Sequence, residues 1–312
     1  MHIIISSAYS LDSQKGNSIT AQRIARLLNK AGHQATAICS TELPPSDALI
    51  ALHATKTLHH SRSFKRRNPH GNLIIYLTGT DLYRELPAGN PEFFEALDLA
   101  DSLVVSQLSS LHSIPAAYRY KSHVVTASVN LPDITPVAVP KQPSLALIGH
   151  LRSVKNPFLV THALALLPDL DVQTYSIGES REEEMSATAR KWEQRDPRYQ
   201  WLGNLPHSTA LGWIQKVTAT LNTSHLEGGA NSVAESIVLG TPVLASQVEG
   251  NVGMLGDDYA GYFTPNSPTE LAALIQRTLT DGVFLDTLKE QVRKRQATFD
   301  TESEVQGWLT LL

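Results

Sequence analysis

Short apolar, β-branched runs alternate with longer amphipathic ones along this chain, and the alternation stops once and restarts. HIIISS (2–7), SITAQRIARLLNKAG (18–32), HQATAIC (33–39), ALIALHA (48–54), a basic helix near SRSFKRRN (61–68) and NLIIYLTGT (72–80) lead. A helix near 91–100 and strands at SLVVSQ (102–107) and HVVTAS (123–128) complete the first series. Such alternation predicts parallel sheets joined by crossover helices, an α/β fold. Gly32 closes the first helix as a C-terminal glycine does.

Pro132, Pro136, Pro140 and Pro143 then crowd a stretch that is neither helix interior nor central strand, and it reads as a linker. The pattern resumes with SLALIGH (144–150), a helix at 157–167, DVQTYSIG (171–178), a helix near 181–195, QWLGN (200–204), a helix near 208–216, TATLNTS (218–224) and TPVLAS (241–246). Helices at 268–280 and 282–297 follow. The expected domains are therefore 1–135 and 144–297, and an amphipathic tail helix at about 298–312 is expected to dock back on the first. A chain of 312 residues is long enough for two cores of ordinary size.

Two doubly wound, Rossmann-like units joined this way are expected to face a central cleft, because ligands of such sheets bind at the carboxyl edges of the strands. A nicotinamide enzyme would carry G-x-G-x-x-G after its first strand. This chain has SSAYSLDSQKGNS there, which argues against a dehydrogenase.

The formal charge of −4, from 26 basic and 30 acidic residues, gives no global field to hold nucleic acid or an anionic membrane. Cys39 is the single cysteine, expected to be a small buried core residue, and its isolation excludes intramolecular disulfides. No signal-peptide pattern precedes the first strand, and no apolar run approaches the roughly 20 residues that span a bilayer. A cytoplasmic location is expected.

SHLEGGANSVAES (224–236) reads as strand end, glycine turn and helix start. Gly228 and Gly229 let backbone approach a ligand, and the amides of Ala230 and Asn231 at the opening of the helix suit phosphate. Glu235, inside the helix, suits a ribose diol, since a carboxylate accepts two hydroxyl hydrogen bonds. Glu227 in the turn suits sugar hydroxyls. A glycine pair before a helix is also ordinary in α/β proteins, and a helical glutamate is usually just solvated, so the window alone leaves both readings open.

GHLRSVKNP (149–157) clusters His150, Arg152 and Lys155 after the first strand of the second unit. Cations there would stabilise a departing diphosphate more in the transition state than in the ground state. Asp169 and Asp171 form a D-x-D pair, but they sit between a helix end and a strand start, the wrong end for a ligand, and no metal is expected. No cofactor is expected either.

In the first unit, KGNSITAQR (15–23) and LTGTDLYRELP (77–87) lie at strand-to-helix turns, and His53 ends ALIALH. They supply Lys15, Gly16, Asn17, Thr20, Thr78, Thr80 and Arg84 as a donor set for a small anion, with Thr20 and Asp81 also readable as helix caps. His53 is a candidate acid or base.

With these pieces in place, the chain resembles the GT-B glycosyltransferases of the family 4 type. Glu227 and Glu235 match that family's E-x7-E motif, Lys155 the lysine of its G-R-L-x-x-x-K loop, and GTPVLAS its G-x-P-V segment. His150 stands where the family's arginine usually follows the glycine, and the arginine here is Arg152. TGTDLYRELP, GHLRSVKNPF, LEGGAN and GYF together resemble the selenosugar synthases of selenoneine biosynthesis. That resemblance implies transfer of N-acetylglucosamine from UDP-N-acetylglucosamine to selenophosphate, with release of UDP and phosphate. Lys155, Arg152 and Glu227 are then the expected catalytic residues, beside the candidate acid or base His53, and functional coupling to a selenophosphate-producing enzyme is expected. Other readings are a family 4 transferase with another small polar acceptor and a non-catalytic UDP-sugar-binding protein.

Overall fold

The computed structural model describes residues 1–13, 16–180 and 182–312. Six strands, β1 (His2–Ser6), β2 (Gln34–Ile38), β3 (Ala48–Leu52), β4 (Asn72–Tyr76), β5 (Ser102–Val105) and β6 (Ser122–Val124), form one parallel sheet in the order β2-β1-β3-β4-β5-β6. Six more, β7 (Ser144–Ile148), β8 (Gln173–Ile177), β9 (Tyr199–Trp201), β10 (Ala219–Asn222), β11 (Val243–Ser246) and β12 (Tyr262–Phe263), form a second, in the order β12-β11-β10-β7-β8-β9. Helices make the crossovers between hydrogen-bonded neighbours such as β1–β2, β3–β4 and β7–β8, as parallel pairing favours, whereas residues 39–47 join β2 to β3 without a helix. Each sheet reverses its direction of winding once, between β1 and β3 in the first and between β7 and β10 in the second. These are the switch points at which open α/β sheets receive ligands.

The first sheet is covered on both faces, which explains its unbroken apolar strands. Ile3, Ile5, Ile50, Leu52 and Ile74 pack with Ala21, Ile24 and Leu28 of the helix Gly16–Lys30 on one side. Ile4, Leu49, Leu73, Ile75 and Leu103 pack with Phe64, Phe93 and Leu97 on the other. The second unit has its own core, built on Leu145, Leu147, Leu221, Val233, Ile237, Val243 and Leu288.

The compact units are Met1–Ser128 with Asp300–Leu312, and Val129–Phe299. The proline-rich segment read as a linker therefore lies with the second unit. Thr135 explains why: its amide donates to Ser208 O at 3.1 Å and its hydroxyl to Ser208 Oγ at 2.8 Å. The helix Thr301–Leu309 lies against the first unit. Trp308 is fully buried, 6.1 Å from the Tyr76 ring, and buried Glu304 accepts from the amide and hydroxyl of Ser128, both at 2.6 Å, and pairs with Arg23.

Three local expectations change. The first helix begins at Gly16, so Thr20 lies within it and caps nothing. Cys39 is exposed, because edge strand β2 ends at Ile38 and leaves it beyond the sheet. The short helices Leu108–Ser113 and Glu249–Leu255 and the two-residue strand β12 are additions, each too short to show a period in sequence. Among the described residues, no helix is long and apolar enough to cross a membrane.

Candidate functional site

In the second unit, the loops after β7 and β10 meet at the switch point and are stitched together by their backbones. His225 N donates to Val154 O at 2.9 Å, and the Thr223 hydroxyl lies 2.9 Å from both Lys155 O and Asn156 O. Over this seam the Lys155 ammonium forms an ion pair with the Glu227 carboxylate, which also accepts from Ser224 Oγ at 3.0 Å. The pair is only partly exposed, so it is screened less than a surface pair and fixes the ammonium in place. Arg152 lies on the same loop with its side chain exposed. His150 has a scaffolding contact: its Nδ1 accepts from Glu179 N at 3.2 Å, tying the loop after β7 to the loop after β8.

Gly228 and Gly229 precede the helix Asn231–Leu239, with Ala230 buried at its cap position. Gly229 has φ of +127°, a conformation that side chains other than glycine's rarely adopt. Gly250, in the next helix, lies so close to Glu227 that a methyl group there would overlap the Glu227 carbonyl. Glu235 faces inward from its helix, 9% exposed, and its Oε1 lies 2.8 Å from His207 Nε2. The hydrogen bond to Glu235 raises the His207 pKa, outweighing burial, which lowers it. His207 belongs to none of the sequence motifs, and its partner lies 28 positions further along the chain.

In the first unit, His53 follows β3 with φ of +83°, an uncommon backbone for a non-glycine residue. Its amide donates to Tyr76 O at 3.0 Å, and its carbonyl accepts from Thr57 N at 3.2 Å and Thr57 Oγ1 at 2.8 Å. The ring is held as firmly: Nδ1 lies 2.9 Å from Asp81 Oδ1 and 3.2 Å from Thr55 Oγ1. Asp81, completely buried, also accepts from Ala54 N at 3.1 Å and from Thr78 N and Oγ1, both at 2.8 Å. A carboxylate accepts a hydrogen from Nδ1, which fixes the ring's orientation and leaves Nε2 on the side away from Asp81. His53 Nε2 is buried with no hydrogen-bond partner among the described residues. Asp81, read from sequence as a possible cap, is thus the anchor of a His–Asp pair that sequence reading had not joined.

The other first-unit candidates are not gathered in the same way. Thr78 spends its hydroxyl on Asp81. Thr80 is exposed, and Arg84 is exposed on the π-helical turn Asp81–Glu85, its Nε 3.9 Å from its neighbour Glu85. Gly16 and Asn17 open the first helix, and Lys15 lies outside the described residues. In the second unit, Asp169 and Asp171 precede β8 at its amino end. Among the described residues no group of three or more His, Cys, Asp or Glu side chains is placed to hold a metal ion.

Comparison with known proteins bears on both units. Residues 135–295, just over half of the chain, match the family model described as glycosyl transferases group 1. Over the whole chain, the structure is similar to that of HepE from Anabaena in complex with UDP, with a TM-score of 0.81, 13% identity and 99% of each chain covered. It is also similar to sucrose-phosphate synthase from Thermosynechococcus elongatus, with a TM-score of 0.78, 16% identity, and 99% of this chain and 97% of that one covered. A glycosyltransferase from Rickettsia africae aligns with a TM-score of 0.77 at 13% identity, covering 99% of this chain and 97% of that one. At these identities the likeness establishes the fold, the two-unit GT-B form of the α/β class.

Proposed function

The chain belongs to the group 1 glycosyl transferases, and from that premise we propose that it transfers N-acetylglucosamine from UDP to selenophosphate. The observation that carries the donor half is the Lys155–Glu227 ion pair across the β7–β10 switch point, with inward-facing Glu235 on the helix that follows. Lys155 and Arg152 hold the diphosphate, the Gly228–Asn231 backbone approaches it, Glu227 meets sugar hydroxyls and Glu235 the ribose diol. HepE of Anabaena, similar in fold, has been solved with UDP and with UDP-glucose, which supports a UDP-sugar donor.

Selenium attacks C1 of the sugar, the C1–O bond breaks, and its electron pair leaves on the β-phosphate oxygen of UDP. Fixed cations stabilise that oxygen as charge develops. Water then cleaves the selenium–phosphorus bond, releasing phosphate and the selenosugar. A selenium nucleophile is already deprotonated near neutral pH, so the first step needs no strong base. The acceptor rests on the resemblance of TGTDLYRELP and GHLRSVKNPF to selenosugar synthases, and a small anion suits the loops after β3 and β4, HATKT and LTGTD, which carry no aromatic platform. A selenophosphate-producing enzyme in the same cytoplasm supplies it.

The test is to incubate the pure protein with UDP-N-acetylglucosamine and selenophosphate and follow UDP and phosphate. Release of both, dependent on selenophosphate, is expected. Release of UDP with a sugar or lipid acceptor but none with selenophosphate would overturn the acceptor and leave the donor assignment.

A further inference from the structure

The β1–β3 switch point of the first unit carries a lysine bridge of its own. Tyr9 lies on the loop after β1 and Lys56 on the loop after β3, and the Lys56 ammonium donates to the Tyr9 hydroxyl while sitting 4.6 Å from the centre of its ring. In the second unit Lys155 and Glu227 join the two corresponding loops. The partners differ in one respect that matters. Glu227 sets a carboxylate against Lys155, whereas a phenol hydroxyl holds Lys56 without an opposing charge.

Tyr9 is itself well placed. Its amide donates to Ser7 Oγ at 3.2 Å, and its carbonyl accepts from the same hydroxyl at 2.8 Å. Ser7 is buried, and the loop is further tied to the first helix by Ser18, whose hydroxyl donates to Ser10 O at 2.7 Å. On the other side, Lys56 stands three positions after His53, on the turn that Thr57 and Asp81 lock. Among the described residues of the loops after β1, β3 and β4 (7–13, 53–57 and 77–81), Lys56 is the one lysine or arginine. Of the other candidates that sequence suggests for an anion, Thr78 is committed to Asp81 and Arg84 is exposed beside Glu85, while Lys15 lies outside the described residues.

We propose that Lys56, held across the β1–β3 crevice by Tyr9 and preceded on the same turn by His53, whose buried Nε2 has no partner among the described residues, receives the phosphoryl group of the anionic acceptor. An ammonium is a compact donor suited to a phosphoryl oxygen. The Tyr9 hydroxyl positions that ammonium. This assignment deepens the proposed function, since it names the acceptor-binding cation of the same reaction.

The experiment titrates thiophosphate and inorganic phosphate into the UDP-saturated full-length protein by calorimetry, for the wild type, Lys56→Ala, Lys56→Arg and Tyr9→Phe. The wild type is expected to bind thiophosphate, Lys56→Ala to weaken binding about tenfold or more, and Lys56→Arg to retain most of it. Tyr9→Phe keeps the ring and loses only the hydroxyl, so a smaller loss is expected. UDP affinity and thermal unfolding report whether each variant is folded. Equal anion binding by the wild type and a folded Lys56→Ala, or no anion binding by the wild type, overturns the assignment. A wild type that binds thiophosphate through Lys56 yet releases no UDP with selenophosphate overturns the proposed acceptor while the anion site stands.

Discussion

Lys155 and Glu235 have different surroundings, and the difference sets what their removal should do. Lys155 is held by Glu227 at the strand end, where charge would appear on a leaving diphosphate, whereas Glu235 lies inside its helix beside His207. Lys155→Ala is expected to lower kcat about a hundredfold to a thousandfold, the usual cost of one oxyanion-stabilising group. Glu235→Ala is expected to weaken UDP binding about tenfold to a hundredfold, with kcat at saturating donor much less affected. Steady-state kinetics and UDP calorimetry check the split; unchanged kinetics in both variants would sink the donor assignment. Lys155, Glu227 and Glu235 were legible in the sequence because each belongs to a short motif with fixed spacing. His207 and Asp81 were not, since their meaning lies in partners 28 positions away in both cases. A histidine's role depends on what its ring nitrogens touch, which spacing does not encode.

At the scale of elements, the donor loop is shaped by how closely the helix Glu249–Leu255 approaches it. Gly250 abuts the Glu227 and Gly228 backbone, and Asn251, completely buried, donates to Asn222 Oδ1 at 3.2 Å and Ser246 O at 2.9 Å. Gly250→Ala forces the turn away from this support. Overpacking of a close backbone contact costs about 1–3 kcal/mol, and the displaced Glu227 no longer holds Lys155 in place. Lower thermal stability together with weaker UDP binding is expected, and a variant with wild-type values in both would show that the turn is not held by this helix. The long helices were readable from their apolar period, as at Pro268–Thr280, where Leu271, Ala272 and Ile275 are buried. The helix Glu249–Leu255 was not, because EGNVGML is short and carries two glycines, so tertiary contact rather than propensity makes it helical.

For the whole molecule, the consequential feature is that the chain leaves the first unit after Ser128 and returns to it at Asp300. Trp308 closes that return, packing with Ile3, Ile5, Ile50 and Val104. Trp308→Ala is expected to cost the first unit about 3–5 kcal/mol, the usual loss for a deleted buried aromatic. In denaturant, the first unit should unfold in a separate, earlier transition while UDP binding by the second is kept. A single transition at the wild-type midpoint would show that the tail contributes little. The α/β class, the two-fold repetition of strand and helix, and the E-x7-E and lysine motifs follow from residue order alone, because periodicity and local spacing are properties of neighbouring residues. Folding in three dimensions is what places the proline-rich segment with the second unit, sets Asp81 against His53 and brings Tyr9 to Lys56. The last two depend on strand order, which lays the loops after β1, β3 and β4 side by side, and the first on contacts to Ser208 some seventy positions away; neither leaves a trace in local composition.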